Sequence, residues 1–202
     1  MTRKLFAVLA LPLLAAMAVG QTQTWKIDPN HTAAQFSVRH MGISTVRGAF
    51  NKTSGAVEYD SANPSKSSVE ATIEVASVDT RVEMRDNDLR SPNWFDAAKF
   101  PTITFKSTKV EAAGEGKLKI TGDLTIHGVT KSVVLDVEGP TKPMTDQRGT
   151  MHVGASATTK IKRTDFGVGT NPMVGEEITI TIDTELVKPN PNAPPPPPPP
   201  TK

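Results

Sequence analysis

The segment ITITID, residues 178–183, places an isoleucine at every second position with threonine or aspartate between them. Successive side chains of an extended chain point to opposite faces, so the isoleucines share one face and the polar residues share the other. β-Branched residues dominate the segment, which favours a strand over a helix. Residues 178–183 therefore predict a half-buried antiparallel strand with one face toward water.

The same period of two recurs along the chain between Trp25 and Val187. Breakers such as Gly55, Gly114 and Gly149 separate the runs, as turns separate strands. The alternating apolar positions are Phe36 and Val38; Val69, Ala71, Ile73 and Val75; Ile103 and Phe105; Leu118, Ile120, Leu124 and Ile126; and Val133, Leu135 and Val137.

So many strands of this pattern require two packed sheets or one sheet closed into a barrel, and periodicity alone does not choose between them. Several expected inward positions are small, namely Ala71, Ala155 and Ala157, and aromatic residues make up only 5% of the chain. A barrel of eight strands tolerates such filling because it can keep a cavity for one ligand. We therefore expect an all-β fold, an antiparallel eight-stranded barrel.

One segment, residues 81–95, has helical spacing instead. Val82, Arg85 and Leu89 fall on one helical face, and Ser91-Pro92 is typical of an N-cap followed by proline in the first turn. The segment predicts two short helices that meet at Ser91 and form a lid over one barrel end or a plug beside a strand.

Both ends of the chain differ from this pattern. Residues 1–20 combine Arg3 and Lys4 with an apolar run and a small-residue site at Ala18-Val19-Gly20, which is typical of a secretory signal peptide. We therefore expect a periplasmic protein, with its barrel domain over residues 21–187. Residues 188–202 contain an unbroken proline run from Pro194 to Pro200, which predicts a disordered or polyproline II tail.

Charge and cysteine content exclude several function classes. The chain has a net charge of +2, and Arg3 and Lys4 of the leader account for that excess, so the remaining chain is balanced. A balanced charge argues against nucleic-acid binding. The absence of cysteine excludes thiol catalysis and cysteine-type zinc sites.

With these elements in place, the chain resembles the YceI-like family over residues 25–186. The departures from the family pattern are Asp88, where a histidine is common, and Asn93-Trp94, where Asp-Phe is favoured. The matching motifs are Trp25-Lys-Ile-Asp28 with His31; Phe36-Ser-Val-Arg-His-Met-Gly42; Val46-Arg-Gly-Ala-Phe50; Arg85-Asp-Asn-Asp-Leu89; Phe95-Asp96; Phe100-Pro101; Gly122-Asp-Leu-Thr-Ile-His-Gly-Val-Thr-Lys131; and Arg163-Thr-Asp-Phe-Gly-Val168.

The resemblance implies a lipocalin-like barrel that binds an isoprenoid quinone, a polyprenyl lipid or a similar long amphiphile in its interior. It implies a periplasmic carrier or reservoir with no catalytic residues and no covalent cofactor, and it implies pairing as a homodimer. We also expect transient contact with the membrane or with membrane redox proteins. The expected lining comprises Phe36, Val38, Phe50, Met84, Leu89, Trp94, Phe95, Phe105, Leu124, Ile126 and Phe166, and the head-group candidates are Arg85 and Arg163.

Polar motifs provide little support for chemistry. His31, His40, His127 and His152 show no short metal-binding spacing, so the sequence predicts no metal site. No GxSxG elbow, phosphate-binding glycine loop or distinctive carboxylate pair is present. Two alternatives stay open: an adhesion or stress-response module with a fully packed barrel, and a lipid-modifying enzyme with Asp, His and Arg converging inside the barrel.

Overall fold

The structure, a computed structural model, describes residues 22–188, so the proposed leader and most of the proline-rich tail lie outside the described residues. Its strands are β1 (Gln23–Ile27), β2 (Ala33–His40), β3 (Ser44–Phe50), β4 (Thr53–Tyr59), β5 (Ser68–Glu74), β6 (Val78–Asp79), β7 (Thr102–Ala112), β8 (Lys117–Ile126), β9 (Val129–Glu138), β10 (Met144–Thr145), β11 (Met151–Lys162) and β12 (Val174–Lys188). One α-helix, α1 (Glu83–Arg90), and three 3₁₀ turns, Pro64–Lys66, Val75–Ser77 and Arg163–Phe166, complete the described elements.

These strands form one closed antiparallel barrel. Four pairs of short strands, β1 with β2, β3 with β4, β5 with β6 and β9 with β10, follow one another along the same neighbouring strand, so the wall consists of eight long strands. Strand β12 closes the barrel because it pairs with β11 along one edge and with β2 and then β1 along the other. The predicted eight-stranded barrel is confirmed, and closure leaves its wall without a free edge.

The connections divide between two ends of the barrel. One end carries residues 41–43, 80–101, 127–128 and 163–173 and is called the lid end. The other end carries residues 60–67, 113–116 and 139–150, together with the start of β1 and the end of β12, and is called the terminal end. Within residues 22–188, no helix is long and apolar enough to cross a membrane.

Alternation along the strands separates an inner apolar face from an outer polar one. In β8, Leu118, Ile120, Leu124 and Ile126 are buried, whereas Lys119 and Asp123 between them are exposed. The inward residues of β12 behave differently, because Ile178, Ile180 and Ile182 are only half-buried although they point away from bulk water. This difference indicates that the barrel interior is not completely filled.

Two phenylalanine rings lie over glycines of the neighbouring strand. Phe36 pairs across from Gly48, where an added Cβ would lie 2.5 Å from the Phe36 ring. Phe105 covers Gly122 in the same way, with its ring 2.4 Å from the position of an added Cβ. Each glycine leaves room for a ring to lie flat against the wall, so neither ring has to project into the lumen.

The predicted lid forms, but only its first helix does. Helix α1 ends at Arg90, and Ser91 is its C-cap, with extended backbone angles, rather than the N-cap of a second helix. Residues 91–100 form turns, in which the amide of Trp94 donates to the Ser91 carbonyl and Asp96 adopts a φ of 48°. The prediction of a second helix was wrong: residues 91–95 form bends and turns, and the left-handed Asp96 prevents a helix from continuing beyond them.

Candidate functional site

A single large cavity dominates the interior of the described barrel. Its volume is about 590 Å³, within the range of roughly 300–1,000 Å³ typical of small-molecule sites. Apolar side chains from every wall strand line it, and it extends from the lid at Leu89 and Phe95 to Trp25 and Val153 near the terminal end. The space is therefore a long apolar tunnel along the barrel axis.

Ten of the eleven residues predicted to line the tunnel do contact it. Met84 is the exception, since its side chain is 82% exposed. Helix α1 brings Arg85, Asp88 and Leu89 to the cavity, whereas Met84, in the first turn of the helix, does not reach it. The residues that line the cavity as predicted are Phe36, Val38, Phe50, Leu89, Trp94, Phe95, Phe105, Leu124, Ile126 and Phe166.

Other lining residues were absent from the predicted set. Among them is the isoleucine row of β12, Ile178, Ile180 and Ile182, which lies beside Ala155 and Ala157 of the neighbouring strand β11. Alternation had marked all five as inward-facing. It could not identify them as lining residues, because the same pattern describes a packed core and a cavity wall.

The charged side chains that border the tunnel all lie at its lid end, whereas the polar groups near its terminal end are neutral hydroxyls such as those of Tyr59 and Ser67. At the lid end its boundary includes Thr80, Arg85, Asp88 and Asn171. Near the terminal end it is bounded by a buried apolar cluster of Trp25, Val153 and Leu186, against which other apolar side chains pack. The tunnel is therefore suited to a long molecule with one polar end, oriented toward the lid.

Arg85 is positioned at this polar end by Thr80. Its Nε donates to Thr80 Oγ1 at 2.7 Å and its Nη2 donates to the Thr80 carbonyl at 3.0 Å. Thr80 is fixed in turn by the buried Asp86 carboxylate, which accepts from its amide at 2.8 Å and from its hydroxyl at 2.5 Å. The half-buried Arg85 keeps Nη1 free of hydrogen bonds to the described residues, so one guanidinium edge stays available to an acceptor.

Arg163 also borders the cavity, but its donors are all occupied. The side chain is buried, and its guanidinium donates five hydrogen bonds to backbone carbonyls of the loop before β12 and of the first two residues of β12. A guanidinium has five N–H groups, so none remains for a head group. Arg163 therefore organises this loop and is a poor head-group ligand. The acceptors are Gly175 at 3.0 Å, Val168 at 2.9 Å, Gly169 at 2.5 Å, Asn171 at 2.9 Å and Val174 at 2.8 Å.

The two departures from the family pattern contact each other in the lid. Trp94 Nε1 donates to Asp88 Oδ2 at 2.8 Å, which ties the turn after the helix to its last turn. The Trp94 ring lies 5.5 Å from the Arg163 guanidinium and covers Gly169, where a Cβ would lie 2.3 Å away. Asp88 and Trp94 thus form one structural pair that attaches the lid to the loop before β12.

Two polar atoms in the tunnel wall are buried without a partner. Trp25 Nε1 and Thr53 Oγ1 make no hydrogen bond to the described residues, and both residues line the cavity. A buried polar group without a partner costs about 1–3 kcal/mol. A bound molecule or water with an oxygen near either atom would relieve that cost.

Histidines with shifted pKa values lie outside the tunnel. A hydrogen bond from His31 to Asp28 raises the pKa of His31, and a hydrogen bond to Glu185 raises the pKa of His152. His152 Nε2 lies 3.4 Å from Asp146, within ion-pair range but without hydrogen-bond geometry. These groups sit on the outer face at the terminal end, so they do not provide an acid or base to the tunnel.

Comparison with known proteins identifies the family of this barrel. The model of the YceI-like domain family matches residues 25–186. The chain belongs to the YceI-like domain family. It is 38% identical to a UPF0312 protein of Vibrio cholerae over 166 residues, and the matched region covers 81% of this chain and 85% of that protein. A UPF0312 protein of Ectopseudomonas mendocina is 39% identical over 168 residues, or 80% of this chain and 86% of that protein.

Solved structures agree with this YceI-like assignment. BcnA of Burkholderia cenocepacia superposes with a TM-score of 0.70 at 29% identity, over 79% of this chain and 98% of that one. The YceI protein of Campylobacter jejuni has a TM-score of 0.67 at 30% identity, over 91% of this chain and all of that one. A Saccharophagus degradans domain shares the fold at 15% identity, with a TM-score of 0.59, over 84% of this chain.

Proposed function

We propose that this YceI-like protein binds an isoprenoid quinone or a polyprenyl lipid in its tunnel and shields it from water, as a periplasmic carrier or reservoir without catalytic activity. The continuous apolar tunnel carries this proposal. The Saccharophagus degradans neighbour is described as a polyisoprenoid-binding domain, which supports a lipid of the same class here.

The size of the tunnel indicates how much lipid it can cover. At roughly 30 Å³ per heavy atom, the share of one water molecule in the liquid, a volume of about 590 Å³ holds about 20 heavy atoms. This corresponds to about four isoprene units. A longer tail must either extend through the lid end or displace wall side chains such as the half-buried isoleucines of β12.

Burial of the tail is sufficient to drive binding. Each buried CH₂ contributes about 0.8 kcal/mol, so ten to fifteen buried carbons give about 8–12 kcal/mol before ordering costs. No specific polar contact is needed to reach useful affinity. Polar contacts instead set the orientation, and Arg85 Nη1 at the lid end is our candidate donor to a quinone or phosphate oxygen.

An apolar collar surrounds the lid end of the barrel. It consists of Met41, Ile43, Val82, Met84 and Met173, all exposed, with Ile43 at 76%. The amide of Met41 donates to the Met173 carbonyl at 2.7 Å, so two parts of the collar are directly joined. Exposed apolar patches often mark interaction sites, and we propose that this collar contacts the membrane when lipid enters or leaves.

The collar has a rigid base at the β2–β3 turn. Arg39 donates to the carbonyls of Gly42 at 2.6 Å and Ile43 at 3.0 Å, and to Thr45 Oγ1 at 2.8 Å. The turn therefore presents Met41 and Ile43 in a fixed position.

The alternative of an interaction module with a packed barrel agrees less well with the open interior.

Blocking the tunnel tests the binding proposal. Ala157 of β11 faces the lumen, whereas its neighbour Thr158 is exposed on the outer face. We expect Ala157→Phe to fill the tunnel and abolish uptake of a four-unit prenyl quinone, and Thr158→Phe to bind as the native protein does. Uptake is measured by native mass spectrometry, with circular dichroism to verify folding. Unchanged uptake in a folded Ala157→Phe variant would refute a tunnel site.

Vesicle binding tests the membrane contact. We expect the double variant Ile43→Ser, Met84→Ser to lose sedimentation with phosphatidylcholine–phosphatidylglycerol vesicles, while Met144→Ser retains it. Met144 is the matched control because it is 74% exposed at the terminal end. Equal vesicle binding of both variants would contradict the proposal, and a collar-dependent dimer in analytical ultracentrifugation would assign the collar to the expected homodimer instead.

Export has its own test. The proposed leader predicts cleavage after Gly20 and a mature chain that begins at Gln21. N-terminal sequencing of the protein from a periplasmic fraction checks this. An intact Met1 in the soluble protein would contradict the periplasmic assignment.

A further inference from the structure

We propose that Asp28, His31 and Glu185 form a binding site for a divalent transition-metal ion, with Zn²⁺ as the best-matched ion, on the outer face of the barrel at the terminal end. One donor atom from each of the three side chains lies within 4.8 Å of the other two. This site is separate from the lipid tunnel, so the proposal does not depend on what the tunnel binds.

Main-chain hydrogen bonds bring the three residues together. Asp28 and His31 lie in the irregular segment between β1 and β2, and Glu185 lies on β12 beside it. The amide of Asp28 donates to the Glu185 carbonyl at 2.9 Å, and the amide of Glu185 donates to the His31 carbonyl at 3.2 Å. Because the backbone is fixed at both points, the side chains need only rotate to meet one ion.

The donor atoms are already close to coordination distances. Asp28 Oδ1 accepts from the Asn30 amide at 2.9 Å, which directs Oδ2 to His31 Nδ1 at 2.8 Å. Zinc bonds of about 2.1 Å in a tetrahedron place neighbouring donors about 3.4 Å apart. A small separation of these two atoms would therefore admit an ion, with the His31 proton released to solvent. His31 is 64% exposed along its side chain, so an ion has direct access.

A second histidine, His152, contacts the Glu185 carboxylate and so supports the site. His152 Nδ1 lies 2.5 Å from Glu185 Oε1, and its other ring nitrogen faces Asp146 at 3.4 Å. Metal-binding side chains are commonly held by such outer contacts, whose loss lowers affinity by about 10–100-fold. His152 thus fixes the Glu185 carboxylate and leaves its second oxygen for the ion.

The chemistry of the donors selects the type of ion. Two carboxylates neutralise a divalent charge, and one imidazole disfavours Ca²⁺ and Mg²⁺, which take oxygen ligands. Imidazole with carboxylates suits Zn²⁺, and a three-residue set leaves a fourth position for water. An ion bound here would cross-link the β1–β2 segment to β12, so we also expect it to raise the unfolding temperature.

Calorimetric titration with zinc sulfate tests the site, using tag-free protein stripped of metal by a chelator. We expect one equivalent to bind to the native chain. His31→Ala and Glu185→Gln should each lose affinity by about 30-fold or more, and His152→Ala by about tenfold. His40→Ala is the matched control, because His40 is exposed at the lid end, and it should bind as the native chain does.

Three outcomes overturn the proposal: no saturable one-to-one binding, equal affinity in native and His31→Ala protein, or an equal loss in His40→Ala. Cobalt(II) spectra provide a second readout, since an imidazole-carboxylate site shifts the visible bands and His31→Gln should abolish the shift. Circular dichroism and prenyl-quinone uptake establish that the variants are folded. Failure of zinc binding with normal lipid uptake leaves the carrier proposal intact.

Discussion

At the residue scale, the open space in the lumen depends on where the aromatic rings lie. Phe36 occupies the space above Gly48, and its ring is also in contact with Phe50, at 5.7 Å between centroids. Phe50 in turn contacts Phe95 of the lid at 5.6 Å. A short aromatic row therefore connects the barrel wall to the lid without crossing the tunnel.

Gly48→Ala tests this arrangement. The added Cβ would meet only side-chain atoms, of Phe36 and Thr80, so the chain can fold by pushing the ring toward the lumen. We expect a loss of about 1–3 kcal/mol in the free energy of unfolding, as for other overpacked sites, and weaker lipid binding. Urea denaturation and quinone titration measure these effects. Gly154→Ala is the control, because its Cβ would make only ordinary contacts at 3.7 Å or more.

Replacement of Arg163 by lysine should destabilise the fold. Lysine keeps the charge but has three donors and no planar fork, so it cannot replace the five carbonyl bonds of the guanidinium. We expect Arg163→Lys to destabilise the fold by about 3 kcal/mol, since buried carbonyls lose their partners. Chemical denaturation measures the change. The exposed neighbour Lys162, changed to methionine, should have little effect, and a similarly small effect of Arg163→Lys would contradict this role.

Single residues were also where sequence reasoning was weakest. Met84 and Leu89 both appeared as apolar residues of one amphipathic segment, and only the rotation of α1 about its axis separates the exposed side chain from the lining one. Arg163 was named as a head-group candidate because the sequence does not show that its donors are already occupied. Its carbonyl partners come from residues 168–175, and the fold of that loop was not predictable from spacing.

At the element scale, backbone hydrogen bonds and side-chain contacts together hold the lid, and Arg90 ties it to the carbonyls of Ala76 and Val78. Trp94, Asp88 and Leu89 join helix α1 to its following turn and to the barrel. The strands were predictable because period two repeats over many residues. The absence of a second helix was not predictable. Ser91-Pro92 satisfies the local rules for a helix start, but the chain forms a turn there, from which Trp94 and Phe95 contact the barrel.

Loosening the lid should accelerate lipid exchange. Asp88→Ala removes the acceptor of Trp94 Nε1, and loss of about 1 kcal/mol corresponds to roughly a fivefold change in a rate constant. We expect prenyl-quinone release to be about fivefold faster, with barrel stability little changed. Stopped-flow transfer to vesicles measures release. Glu83→Ala at the exposed start of α1 is the control, and equal release rates in both variants would show that this contact does not restrain the lid.

The terminal end should respond to pH through His152. Its pKa is raised from 6.5, chiefly by the hydrogen bond to Glu185. A raised folded-state pKa stabilises the fold fully below the unfolded value, and this contribution is lost as pH rises through the folded value. In chelator-containing buffer we expect stability to fall as the pH rises from 6.5 through the raised folded-state pKa, and the fall to be smaller in His152→Gln. Urea midpoints measure it, and a rise in native stability over this range would contradict the assignment.

At the scale of the whole molecule, sequence predicted a closed barrel better than it predicted a hollow one. Inward positions followed from alternation, and small residues such as Ala155 and Ala157 suggested spare volume. The size and continuity of the tunnel depend on strand tilt, on ring positions and on the glycines beneath the rings. Those quantities come from contacts between distant strands, so no single segment of sequence contains them.

A hollow barrel should gain stability from its ligand. The tunnel leaves the β12 isoleucines half-buried, so a bound tail completes contacts that a packed core would make internally. At a free ligand concentration of 100 times Kd, binding adds about 2.7 kcal/mol to the free energy of unfolding. We expect the unfolding temperature of delipidated protein to rise with added prenyl quinone and to continue rising logarithmically above saturation.

The blocked variant separates this effect from nonspecific association with lipid. Ala157→Phe places a side chain where the tail would lie, so its unfolding temperature should not respond to prenyl quinone. Differential scanning calorimetry of native, Ala157→Phe and Thr158→Phe protein measures the response. An equal rise in all three proteins would mean that the quinone acts on the outer surface. No rise in any of them would mean that the barrel does not bind this lipid.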